Sequence, residues 1–168
     1  MRASGASISA IDVWEVLKSA VDTSESMGES ALGLAPLTQL AGNTPGGTWT
    51  NFPERLFDKN LTTNGFPDAV DQYAEQVFGT LCILHDYRIR WSAGNTKETG
   101  RWKIQYLSLY GVWTDSVLNI PTVDADAWTE YALIPGQPIA SGVRFVMTTY
   151  DADSRQIFQL EVRGHKLE

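Results

Sequence analysis

The chain is poor in the residues on which most site chemistry is built. It has a single cysteine, Cys82, so no disulfide can close within it and no thiolate cluster can hold a metal. Set between Leu81 and Ile83, that thiol reads as buried and inert. There are two histidines, His85 and His165, and neither context supplies a nucleophile to make a catalytic pair. The glycine-rich phosphate loops of nucleotide-binding proteins are missing. No apolar run approaches the ~20 residues needed to cross a bilayer. Residues 1–7 lack the apolar stretch of a secretory signal, so the expectation is a protein that stays in its cell or leaves by another route. Positive charge is also short, with 13 Lys and Arg against 20 Asp and Glu, a net charge of −7. Phosphate backbones need a positive field, so nucleic acid is not the expected partner. Carboxylates alone are plentiful, and paired carboxylates are one route to sugar hydrolysis. Nothing else points to catalysis, and the expectation is a non-enzymatic protein that needs no cofactor.

What the chain does have is aromatic residues, six each of Trp, Tyr and Phe, in 168 residues of which 43% are hydrophobic. That length supports one domain with a real core, and aromatics suit pleated, half-buried sheets. Tyr87, Ile89 and Trp91 alternate with Arg88 and Arg90, and Trp102, Ile104 and Tyr106 alternate with Lys103 and Gln105. Period two marks each segment as a half-buried antiparallel strand. The polar residues 92–100, with two glycines, form the loop between them. Val143, Phe145 and Met147 predict an inward face of another strand. Phe158, Leu160 and Val162 predict the inward face of the last one, with Gln159, Glu161 and Arg163 facing out.

Between these landmarks the signals are mixed. Residues 43–48 carry strong turn chemistry. Residues 68–78 hold both a helical and a strand pattern, and the expectation is a loop or short helical turn up to about Tyr73, then a strand turning at Gly79. Residues 81–84 continue the core, and His85-Asp86 reads as a turn. Residues 116–127 read as a polar connection, and residues 128–133 as a strand with Tyr131 and Leu133 on one face. Residues 1–33 read as an N-terminal arm and linker, in which Ile11, Trp14, Leu17 and Val21 recur at roughly helical spacing. So short a helix is not stable alone and must pack on its own domain or on a partner.

Trp91, Gly94-Asn95, Arg101, Lys103-Ile104-Gln105-Tyr106 and Gly111-Val112-Trp113-Thr114 follow one another in an order that resembles the discoidin family, also called the F5/8 type C or galactose-binding-like domain. The resemblance extends over residues 34–168. Residues 107–111, Leu-Ser-Leu-Tyr-Gly, depart from the family's usual Ser-x-Asp-Gly. Residues 52–64 are similar to a second family landmark, with Lys59 in place of the usual Gly and Phe66 standing in for a terminal Trp. The strands at Val143-Arg144 and at 157–164 resemble two more. The resemblance implies an all-β, antiparallel jelly-roll sandwich, preceded by the arm, and a non-catalytic binder.

It also implies a calcium loop, for which Asp58, Asn60, Thr62 and Thr63 are the candidate ligands, joined by Glu161 because the family's last strand passes close by. Calcium takes six to eight oxygen ligands, and such a cluster offers several. Read from the residues alone, Asp58 and Thr62 close a tight turn through side chain to backbone bonds, and the charge of Lys59 favours that reading.

In such a fold the loops at one end carry specificity. A sugar is held by an aromatic ring against its C–H face and by polar groups on its hydroxyls. Four loops are the candidates, at 43–52, 64–71, 92–101 and 150–155. They offer Trp49, Phe66 and Tyr150 as rings, and Asn95, Arg101, Asp151 and Arg155 as polar partners; the alternatives are that Trp49 plugs the bottom of the sandwich and that Arg101 pairs with a sheet carboxylate. Two functional expectations follow. The first is a structural or attachment protein of a virus (phage) particle, in a tail, baseplate or capsid surface, made in the host cytoplasm. Its arm would bind other virion proteins or copies of itself. The second is a carbohydrate-binding module of a larger secreted or cell-surface system, with a surface glycan as its extracellular partner.

Overall fold

A computed structural model of the chain describes residues 37–42 and 44–167. The expected arm at 1–33, with Ile11, Trp14, Leu17 and Val21, lies outside the described residues. The strands are β1 (Thr38–Gln39), β2 (Thr44–Gly47), β3 (Tyr73–Trp91), β4 (Arg101–Leu107), β5 (Trp113–Pro121), β6 (Ala132–Leu133), β7 (Ile139–Thr149) and β8 (Ile157–Lys166). A short 3-10 helix spans Pro53–Phe57. Hydrogen bonding follows the order β1-β8-β3-β7-β4-β5, with β2 and β6 also on β3. Every pairing is antiparallel. The fold is an antiparallel β-sandwich, as the alternating segments predicted.

The 19-residue β3 joins the two layers. Its first half pairs with β2 and β7, and its second half with β8 and β6. The register shifts between Val77 and Cys82 against β7, and between Leu84 and Asp86 against β8. These irregularities fall where turns were expected, at Gly79 and at His85-Asp86. The chain does not reverse there. A bulge resets the alternation, so that both Asp86 and Tyr87 are buried.

The core is aromatic where the layers meet. Trp102 of β4 stacks on Phe145 of β7 with centroids 4.9 Å apart, and tilts against Trp91 of β3 at 6.1 Å and Trp49 at 6.0 Å. Trp91, Trp102, Ile104, Val143, Phe145 and Met147 are all buried, as their period-two pattern requires.

Other segments differ from expectation for identifiable reasons. Residues 44–47 form β2, paired with β3, despite their turn chemistry. Pro45 lacks an N–H, which an edge strand tolerates. Gly47 has φ +142, and a Cβ there would meet Tyr73 O at 2.1 Å, so glycine lets the two backbones touch. β5 runs on through residues 116–121, because pairing with β4 overrides their polar composition. Only Ala132–Leu133 of the expected 128–133 strand is extended, with one bridge from Trp128 to Arg90. Phe158 is half-buried rather than inward like Leu160 and Val162, and stands at a register shift between β8 and β3.

Candidate functional site

Two buried polar linkages fix the chain on either side of Arg155. On one side, Trp102 Nε1 donates to Thr122 Oγ1 at 2.8 Å, and that hydroxyl donates to Ser154 O at 2.8 Å. Ser154 Oγ accepts the Gly100 N–H at 2.8 Å. On the other side, Asn95 Nδ2 donates to Gln156 O, and Gln156 N donates to Asn95 Oδ1, both at 2.8 Å. Gln156 Oε1 accepts from Asn64 Nδ2 at 2.7 Å and from Ser92 Oγ at 3.3 Å. Thr122, Ser154 and Asn95 are fully buried, where a satisfied polar network specifies one arrangement. The loops at 64–71, 92–101 and 150–155 are thereby tied together at one end of the sandwich. The loop at 43–52 joins them through Asn51, whose Nδ2 donates to Asp68 Oδ2 at 3.3 Å.

Arg155, so anchored, lies close to two rings. Its guanidinium carbon is 4.7 Å from the Phe66 centroid and 5.6 Å from that of Tyr150. NH1 donates to Tyr150 Oη at 3.0 Å and Pro67 O at 3.3 Å, and forms an ion pair with Asp68 Oδ1. Tyr150 remains 38% exposed. Asp151, beside it, accepts from Thr99 Oγ1 at 2.5 Å and from Asp153 N at 2.9 Å. These bonds, the one from Thr99 first, hold its carboxyl below the usual range. Lys97 pairs with Asp153 at 2.8 Å on the same rim.

The seven residues expected to bind a ligand therefore divide. Phe66, Tyr150, Asp151 and Arg155 share one rim. Trp49 is 4% exposed against Trp102, and a ring with no open face cannot stack on a sugar. Asn95 spends both ends of its amide on Gln156. Arg101 donates to Glu98 O at 2.6 Å and Gly100 O at 2.8 Å, bracing its own loop. Asp68, Gln156 and the buried Ser154 escaped sequence reading. Their spacing in the chain carries no motif, and only the convergence of loops gives them a role.

The candidate calcium loop is folded on itself. Asn60 N donates to Asp58 Oδ1 at 2.7 Å, and Thr62 N and Oγ1 donate to Asn60 Oδ1 at 3.0 and 2.8 Å. Thr63 Oγ1 donates to Asp58 Oδ2 at 3.0 Å. Glu161 is engaged elsewhere, by Arg88 Nε at 2.6 Å and Tyr131 Oη at 2.9 Å. The last strand reaches the loop through Gln159 instead. Its Nε2 lies 2.7 Å from Asp58 Oδ1, 2.8 Å from Arg55 O and 3.4 Å from Asn60 O. A calcium ion binds its oxygens at 2.3–2.6 Å. An N–H donor stands among these oxygens, and the residues do not fit the ion in this arrangement. Among the described residues, no group of three or more His, Cys, Asp or Glu could hold a metal.

No family model and no curated protein matches the chain. Solved structures do. The family 32 carbohydrate-binding module of Clostridium perfringens NanJ, in complex with galactose, is 16% identical with a TM-score of 0.62, over 76% of this chain and 98% of that one. The family 62 module of Clostridium thermocellum Xyl5A is 16% identical with a TM-score of 0.63, over 78% and 99%. A truncated AlyQ with family 32 module and alginate lyase domains is 17% identical with a TM-score of 0.64. There the match covers 79% of this chain but only 34% of the other. The described residues have the galactose-binding-like β-sandwich fold of these carbohydrate-binding modules.

Proposed function

We propose that the chain is a non-catalytic carbohydrate-binding module that takes its ligand at the Arg155 rim. The observation that carries this reading is the Arg155 guanidinium beside Phe66 and Tyr150 and braced by Asp68, on backbone pinned at Ser154 and Gln156. An exposed ring beside fixed donors and acceptors is what a pyranose needs, area for its C–H face and directed bonds for its hydroxyls. Pinning lowers the cost of ordering these groups on binding. The likeness to modules solved with sugars supports the same reading, and an extracellular setting is proposed with it. None of the similar structures supports the particle-component reading.

The charge of Arg155 is already met by Asp68, and Asp151 and Asp153 stand nearby. Neutral sugars are accordingly the ligand class that fits, ahead of uronic acids. A glycan array with the wild type, Tyr150→Ala and Arg155→Ala is the test. Binding of neutral glycans that both variants lose is the expected result. Binding that persists in both would remove the rim from the role, and a folded wild type that binds no glycan would end the reading.

A further inference from the structure

The amide of Gln159 has a fixed orientation. Arg55 O, Asp58 Oδ1 and Asn60 O can only accept, and they surround one end of it. The backbone N–H of Lys59 can only donate, and it meets the other end, Oε1, at 3.0 Å. The nitrogen therefore points into the oxygens and the oxygen toward the N–H. Gln159 is 2% exposed, so these bonds form away from solvent and leave neither end of the side chain unsatisfied.

We propose that this amide does the work of a loop-closing cation, so that residues 55–63 fold without metal. Two carbonyls and a carboxylate converging on one point are a cation's usual surroundings. Here the positive end of an amide dipole meets them, covalently tethered to β8 and always present. Only one carboxylate, Asp58, belongs to the set, and Lys59 adds a positive charge beside it. An amide, which brings no net charge, suits that balance better than a divalent ion. The closed loop leads through Asn64, whose backbone oxygen Arg55 NH1 holds at 3.2 Å, to Phe66 and Asp68. The rim is thus held in a metal-independent way. The inference rests on the loop alone and is independent of what the rim binds.

The test is thermal unfolding of the full chain in millimolar calcium chloride and in chelator, for the wild type and Gln159→Glu. The wild type should melt at one temperature in both. The carboxylate of Gln159→Glu would face the same oxygens with no hydrogen to offer, so that variant should melt lower in chelator. Calcium should then raise it by several degrees, because a ligand of the folded state stabilises by mass action. A wild-type melting temperature that climbs with calcium, and stops climbing in Asp58→Asn, overturns the proposal. A folded Gln159→Glu that ignores calcium overturns it too. Should Gln159→Glu fail to fold, the wild-type comparison decides alone.

Discussion

Asn95 and Gln156 exchange two hydrogen bonds of equal length, 2.8 Å each, side chain to backbone in both directions. A side-chain amide here imitates a strand partner and joins loops 61 residues apart. Asn95→Ala strips Gln156 of a donor and an acceptor at once, at a site closed to water. The expected cost is about 1–3 kcal/mol, read as a lower urea midpoint with an unchanged slope.

Trp49 and Phe66 should separate stability from binding. Trp49 is a core ring, and its change to Ala should cost about 3–5 kcal/mol. The fraction that still folds should keep its sugar affinity. Phe66 is half-buried under Arg155 at the rim. Phe66→Ala should cost much less stability and lose most binding. Calorimetric titration with a bound glycan, beside melting curves, separates the two. Equal binding losses would contradict the assignment.

Lys59 adopts φ +62, a left-handed conformation that costs a side-chain-bearing residue about 1–2 kcal/mol. Its N–H is the donor to Gln159 Oε1, so the loop enforces the angle. Lys59→Gly removes the strain and makes the unfolded chain more flexible, terms that partly offset. A net gain of up to about 1 kcal/mol is expected. A melting temperature below the wild type would show that the lysine stem contributes packing.

Asp115 has its carboxyl held below the usual range, by the Lys103 ammonium at 2.9 Å first and by Gln105 as well. A depressed folded value means stability that is present above the ordinary carboxylate value and lost as pH falls through the folded one. Asp115 is exposed, so screening keeps the effect small. Asp115→Asn should narrow the gap between urea midpoints at neutral pH and at pH near 3. An unchanged gap would remove Asp115 from the acid response.

How far the sequence could be read followed from which faces were covered. Val143, Phe145 and Met147 announce a buried face because strand period and burial coincide there. Gln159 has the same alternating polar pattern as Glu161 and reads as solvent-facing. It is buried because loop 55–60 folds across it, and no local pattern in β8 encodes a lid drawn from a hundred residues earlier. Trp49 is open to two readings from its sequence, a ring for a sugar or a plug at the bottom of the sandwich. Its loop turns back into the sandwich and makes it a core ring. The rim was half legible: Phe66, Tyr150 and Arg155 are types that bind sugars, whereas Asp68 and Gln156 matter only through partners distant in the chain.

The long β3 has a consequence for the order of assembly. Its first half waits for β7 and its second half for β8, so Cys82 must meet both Ala140 and Lys166, 58 and 84 positions onward. A growing chain would expose β3 unpaired along most of its length until nearly everything else had been synthesised. Closing such distant contacts makes folding slow. The bulges that join the layers also interrupt β3's regular alternation, and a bent, irregular strand is a poor template for pairing with another chain during that wait.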